Sequence, residues 1–272
     1  MARHCPPGCP HLHFSTLKWF GRSPAHYNYY RTHPSAPTSA MHLGSAIHNL
    51  ILENGSAIVK FGGASRRGKA WDEFMSSAIA NYADSIILTE SEYETAEAAT
   101  EAVLAHAGAG SLLHGLKEQT FDWTQNGKVC RGTCDAVNGN MVELKSTNDA
   151  RPDFFSRTAM RLSYYAQLPW YMDGYNANRL LSRESAHSIT LAPLVERAFI
   201  VAVETSPPYV VQTFELTANA IDFGRRQYRL WMERLHVCEE SGIWPGYVES
   251  DVPLDVAEEL ALTIGGELVE VE

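Results

Sequence analysis

The sequence predicts an α/β fold of the α+β kind, in which a mixed central β-sheet is flanked by helices and preceded by a helical N-terminal part. Three observations predict it. Residues 1–110 carry mainly helical spacing. Residues 117–147 switch to alternation, punctuated by Gln125-Asn126-Gly127 and Asn138-Gly139-Asn140, the turn chemistry of β-hairpins. The remainder reads strand–strand–helix after one further helix, an order that packs helices against a sheet.

The elements follow in order. Ser15–Tyr30 has helical spacing at Leu17 and Phe20, broken at Ser23-Pro24, where a second helix can start because proline suits the first helical position. THPSAPTSA (32–40) is a loop. Residues 41–53 form a helix with an apolar face at Leu43, Ile47, Leu50 and Ile51. FGGASRRGK (61–69) is a basic, glycine-containing loop, and a helix covers about 70–82. Thr89-x-x-Glu92 is a capping box that opens a helix to about Ala107, ended by Gly108 and Gly110.

Three antiparallel strands fill 117–147, and a long helix covers 152–174 after Pro152. FIVAVETS (199–206) and YVVQTFEL (209–216) are strands joined at Pro207-Pro208, and 217–240 is a final amphipathic helix. The organisation is a helical part (1–110), a sheet-bearing core (111–250) and a tail (251–272), within one compact domain.

Composition narrows the function. The chain has 272 residues, 45% of them hydrophobic, enough for a sizeable core. It has no apolar run of about 18 residues, so no membrane span is expected. The N-terminus lacks the apolar core of a secretory signal, and a cytoplasmic protein follows. A net charge of −10 disfavours a protein that coats nucleic acid but allows a local basic channel. The five cysteines read as reduced thiols. The C-x3-C spacing of Cys5/Cys9 and Cys130/Cys134 differs from the C-x2-C pairs of zinc sites.

The chemistry concentrates at residues 132–145, Gly-Thr-Cys-Asp135-Ala-Val-Asn-Gly-Asn-Met-Val-Glu143-Leu-Lys145. A three-residue loop at 138–140 pairs Val137 with Met141 and sets Asp135 opposite Glu143, with Cβ atoms about 4.5–5.5 Å apart. Lys145 shares their face, while Val142 and Leu144 point to a core. Facing carboxylates repel unless a cation compensates. Carboxylate oxygens suit Mg²⁺ or Mn²⁺, which can polarise a phosphate. Lys145 can then orient the attacking water or stabilise the developing charge. On its own, D-x7-E-x-K also fits a solvated strand face with one salt pair.

Five ordered motifs tip that balance. They are Leu43-Gly44-Ser45-Ala46-Ile47-His48; Glu118 in KEQTFDW; Arg131-Gly-Thr-Cys-Asp135; Glu143-Leu-Lys145-Ser-Thr147; and Tyr164-Tyr-Ala-Gln167-Leu-Pro-Trp-Tyr171. Together the sequence resembles the PD-(D/E)xK nucleases, and among them the RecE-like, phage-type exodeoxyribonuclease VIII family, from Ser15 to about Tyr247. Cys134 beside Asp135, Glu143 at a position often Asp, and Pro169 within a helix depart from the family pattern.

The resemblance implies a metal-dependent DNA exonuclease acting on double-stranded ends, 5′ to 3′, to leave 3′ single strands for recombination. It implies one or two Mg²⁺ (or Mn²⁺) held by Asp135, Glu143, His48, Glu118 and the Leu144 carbonyl. It also places Gln167 and Tyr171 beside the site, touching phosphate or ordering the attacking water. A ring-like homo-oligomer and a single-strand annealing recombinase as partner are further implications. From residue chemistry, Arg66, Arg67 and Lys69 in the basic loop, and Arg151, Arg157 and Arg161 after the hairpin, are candidate DNA phosphate contacts. The alternatives are a RecB-type or restriction-type endonuclease, a non-catalytic DNA-binding recombination module, and a structural protein holding a metal through its cysteines.

Overall fold

The computed structural model describes residues 9–33, 37–63, 65–81, 85–185 and 194–251, with short pieces at 263–264 and 267–268. The N-terminal part begins with α1 (Phe14–Leu17), a 3₁₀ turn at Lys18–Gly21, and α2 (Pro24–Tyr30), which Ser23 caps by accepting from the His26 amide. Helix α3 (Ser39–Leu52) follows, then β1 (Ile58–Phe61), α4 (Lys69–Asn81), β2 (Ile86–Thr89), α5 (Glu90–Ala105) and α6 (Ala107–Leu112). The capping box at Thr89 and Glu92 is present.

The central sheet contains β3 (Leu116–Gln125), β4 (Lys128–Val137), β5 (Met141–Thr147), β6 (Ala198–Glu204) and β7 (Val211–Glu215) in that spatial order. It is mixed: β5 and β6 run parallel, and the other neighbours are antiparallel. Helices α7 (Pro152–Arg161) and α8 (Tyr164–Ser185) form the crossover between β5 and β6, and α9 (Ala218–Ser241) closes the core. Thr263–Ile264 and Glu267–Leu268 form a separate two-residue strand pair. The rest of the predicted tail, 251–272, lies outside the described residues except for Asp251.

Two apolar cores sandwich the sheet. One contains Val137, Met141, Ile200 and Ala202 with Leu17, Phe155, Trp170, Tyr228 and Trp231 from α1, α7, α8 and α9. The other contains Ala136, Val142, Leu144 and Val201 with Ile47, Ile51, Ala99 and Val103 from α3 and α5. The alternation of β4 and β5 residues between the cores is the period-2 pattern of a strand buried on both faces. Among the described residues, no helix is long and apolar enough to cross a membrane.

The structure corrects three sequence-based expectations. Gly108 and Gly110 do not end the helix that starts at Glu90. That helix stops at Ala105, His106 caps α6 through the Ala109 amide, and both glycines lie inside α6. The long helix expected over 152–174 is two helices, because Ser163 takes a left-handed backbone with φ 61° and turns the chain between them. Cys9 is disulfide-bonded, whereas Cys130, Cys134 and Cys238 are free and buried. A parallel pair, β1 with β2, was not anticipated.

Candidate active site

The β4–β5 hairpin turns at Asn138-Gly139-Asn140, where Gly139 has φ 89°, a conformation that glycine adopts without Cβ strain. Val137 pairs with Met141 and Ala136 with Val142, the predicted register. The ladder then ends one pair short of the expected opposition of Asp135 and Glu143. Asp135 is fully buried, and its Oδ2 accepts from the Leu144 amide at 2.7 Å. A buried carboxylate needs such donors. It therefore takes up a β5 backbone group while β5 itself continues in parallel with β6 through Thr147.

Glu118 supplies a second carboxylate from β3. Its neighbours pair normally, Lys117 with Ala136 and Gln119 with Cys134. Glu118 itself adopts φ 49° and drops out of the ladder. A left-handed glutamate inside a strand is strained, and such strain concentrates where function requires it.

His48 arrives from α3. A Cβ on Gly44 would lie 2.8 Å from Ser146 Oγ, so glycine there lets α3 approach β5 closely. One turn later, His48 Nε2 lies 2.8 Å from the Leu144 carbonyl oxygen and Nδ1 lies 3.5 Å from Asp135 Oδ1. His48, Glu118 and Asp135 each offer one ligand atom, all within 4.8 Å of one another. Ligands about 2.1 Å from an octahedral ion stand roughly 3.0 to 4.2 Å apart, and the 3.5 Å between His48 Nδ1 and Asp135 Oδ1 falls in that range, so this donor set could hold a divalent cation. Two carboxylates with an imidazole are ligands for a divalent cation. The Leu144 carbonyl, also expected as a ligand, accepts the His48 bond at the rim of this cluster.

Glu143 falls outside that three-residue cluster. It is buried, and its Oε2 is 2.6 Å from Lys145 Nζ. The ammonium also lies 4.9 Å from the Tyr164 ring centre. Burial opposes the charge on Lys145, but Glu143, Tyr164 and Asp135 outweigh it and hold its pKa above the ordinary value. Lys145 is therefore an ammonium donor rather than a proton acceptor.

Gln167 and Tyr171 share one face of α8, with Nε2 of Gln167 donating to the Tyr171 hydroxyl at 3.2 Å. Gly132 makes room for that ring, since a Cβ would meet Tyr171 Cδ1 at 2.9 Å. Burial, then Glu143, raises the Tyr171 pKa, with a smaller contribution from Asp135. Tyr171 therefore feels both acids, as Lys145 does.

The structure separates the candidate phosphate contacts. Arg66 grips Glu92 with two nitrogens and donates to the Ile87 carbonyl, which ties its loop to β2 and α5. Arg67 is exposed, and Lys69 lies 3.6 Å from Glu73 on an exposed helix face. Arg151 holds Asp149, and Arg157 holds Asp153. Arg157 and Arg161 both line a cleft of about 510 Å³ with Ser146, Thr147 and Tyr164. Arg161 is placed differently in one respect. It also lines a cleft of about 560 Å³ with Lys18, Arg22, Trp19 and Arg234.

Lys18 was missed by sequence reasoning. Burial lowers its pKa, repulsion from Lys145 lowers it further, and its side chain lines one cleft with Arg161. A single lysine in a helical segment carries no sequence signal of that position.

The chain matches the PDDEXK-like domain of unknown function (DUF3799) over residues 13–251. It belongs to that family. The match spans nearly all of the described fold, from α1 to the end of α9 and beyond. A crystal structure of a candidate exonuclease from Eubacterium rectale superposes with a TM-score of 0.60 at 12% identity, covering 91% of each chain. That identity shows a shared fold alone. A second solved structure, SSO0001, covers 68% of this chain and 83% of its own at 14% identity, with a TM-score of 0.26. No curated protein matches the chain. The PDDEXK-like fold thus carries, in this member, a partly buried cluster able to hold a metal beside a lysine ammonium.

Proposed function

We propose that this PDDEXK-like protein is a Mg²⁺- or Mn²⁺-dependent deoxyribonuclease that degrades duplex DNA from its ends, 5′ to 3′, and leaves 3′ single strands for recombination. The observation that carries this reading is the convergence of His48, Glu118 and Asp135 within 4.8 Å, with Lys145 anchored to Glu143 alongside. A divalent cation held there supplies polarisation of a phosphate and a water of lowered pKa.

The chain's own residues do the rest. Asp135, pinned by the Leu144 amide, keeps its other oxygen toward His48 and Glu118. Lys145, held as an ammonium, offsets the negative charge that builds on the phosphate in the transition state. Gln167 and Tyr171 present an amide and a hydroxyl from α8 to order the attacking water or a phosphate oxygen. Arg161 lines a cleft with Ser146 and Thr147, which follow Lys145 in β5, and shares a second cleft with Lys18, Arg22 and Arg234, a setting that suits a polyanionic strand. Polarity, a ring-like homo-oligomer and an annealing partner come to this reading from the RecE-like sequence motifs.

The test is digestion of end-labelled linear duplex with Mg²⁺, beside a covalently closed circle. Wild-type protein should shorten the linear duplex from labelled ends and leave the circle intact. Lys145→Ala should abolish cleavage while circular dichroism stays unchanged. Cutting of the circle would replace the exonuclease reading with an endonuclease. Undiminished digestion by Lys145→Ala would remove Lys145 from the reaction.

A further inference from the structure

A second cluster of ligand-type side chains lies far from the candidate active site in sequence, at the start of the described chain. Cys9 Sγ is 3.3 Å from His11 Nδ1 and 3.7 Å from His13 Nε2. Leu12, between the histidines, is clamped to β4. Its amide donates to the Val129 carbonyl at 2.8 Å, and its carbonyl accepts from the Arg131 amide at 3.0 Å. Leu12 turns into the core, whereas Cys9, His11 and His13 remain half-exposed. The clamp therefore fixes the segment that bears all three donors.

The spacing fits a known coordination geometry. Zinc bonds of about 2.3 Å to sulfur and 2.0–2.1 Å to nitrogen place tetrahedral S and N ligands about 3.6 Å apart. Both observed separations lie close to that edge. The other nitrogen of His11, Nε2, is 3.7 Å from Asp122 Oδ2. Metal-bound histidines typically direct their second nitrogen at a carboxylate, which orients the ring and raises its basicity. Arg131 in turn holds Asp122 through two hydrogen bonds of 2.7 Å each.

We infer that Cys9, His11 and His13 supply three of the four ligands of a tetrahedral zinc site in the reduced protein, with Asp122 orienting His11. Cys9 is disulfide-bonded in this structure, so the site alternates with that disulfide. A dithiol reductant gives two electrons and two protons to the disulfide and becomes a disulfide itself. The freed Cys9 thiol then releases its proton to solvent as its sulfur binds Zn²⁺. The zinc would bind the N-terminal segment to the sheet immediately before α1 and the turn that carries Lys18. The inference does not depend on the nuclease reading.

Cobalt substitution tests it in the full chain. Thiolate ligation gives Co²⁺ a charge-transfer absorption that the sulfur-free His48–Glu118–Asp135 cluster cannot produce. After reduction by a dithiol and removal of the reductant, Co²⁺ should generate that band to saturation at one equivalent, and Zn²⁺ should abolish it. The oxidised protein should give no band. Cys9→Ser and the double variant His11→Asn/His13→Asn should lose it with circular dichroism unchanged. Asp122→Asn should weaken cobalt binding by about tenfold or more, the usual effect of removing a carboxylate that orients a ligand. No band in the reduced wild type, an equal band in the oxidised protein, or a full band in Cys9→Ser would each overturn the site.

Discussion

The Nε2 atom of His48 stands 2.8 Å from the carbonyl oxygen of Leu144, across a sequence separation of 96 residues. A carbonyl only accepts, so Nε2 carries the hydrogen. In a neutral ring the lone pair is then on Nδ1, which faces Asp135 Oδ1 at 3.5 Å. Two lone-pair atoms held face to face need a positive charge between them, either a proton on the imidazole or a bound cation. Leu144 thus selects the tautomer that directs a ligand nitrogen at the acids.

His48→Ala should therefore lower Mn²⁺ affinity, read by calorimetry, by at least about tenfold, because even loss of a group that only orients a ligand costs roughly 10- to 100-fold. Cleavage should fall in parallel. Unchanged Mn²⁺ affinity would remove His48 from the metal cluster.

Glu118 should show stability traded for binding. Its φ of 49° is tolerated better by asparagine than by glutamate. Glu118→Asn should raise metal-free stability by about 1 kcal/mol, the low end of the cost of a left-handed residue, and weaken Mn²⁺ binding. Denaturation and calorimetry on the same preparation check both. A variant that loses stability and keeps its metal affinity would contradict the role given to this backbone strain.

Gly224 on α9 should tolerate no side chain. A Cβ there would sit 1.9 Å from the Tyr165 carbonyl oxygen of α8 and 3.0 Å from Pro169 Cγ. Pro169 has no amide hydrogen to bond that carbonyl, four residues before it, and the close helix crossing fills the space instead. Gly224→Ala should destabilise the fold by about 1–3 kcal/mol or more. A thermal midpoint equal to wild type would show that the two helices can separate without loss.

Glu92 should carry part of the acid sensitivity. Burial alone would raise its pKa, but hydrogen bonds from the Arg66 guanidinium and the Thr89 amide outweigh this and bring it below 4.5. A depressed folded pKa adds stability that is present above the unfolded value and lost as pH falls through the folded one. Glu92→Gln should therefore lower the urea midpoint at neutral pH and flatten its decline below pH 4.5. Parallel declines in both proteins would place the acid dependence elsewhere.

The hairpin and the succession of strands and helices were legible in the sequence because their signals are local. Asn138-Gly139-Asn140 dictates the turn, and the alternation around it dictates which side chains share a face. The end of the ladder before Asp135 was not legible, because it arises from a buried carboxylate seeking the Leu144 amide, a tertiary demand. Ser163 hid the break between α7 and α8, since a left-handed serine carries none of the signal that glycine would. The β1–β2 pair escaped notice because IVKF and IILT are each four residues long and pair across an intervening helix. Arg66 looked like a phosphate contact because its partner, Glu92, lies 26 residues away.

The three ligand-type residues reside on α3, β3 and β4, so no short stretch of the chain holds two of them. An unfolded polypeptide accordingly offers a cation almost nothing that the closed structure offers. Ion binding and folding then become one linked equilibrium. At a free ion concentration a hundredfold above its dissociation constant, the native state gains about 2.7 kcal/mol. Chelation should lower the melting temperature of the whole sheet, including strands that touch no ligand.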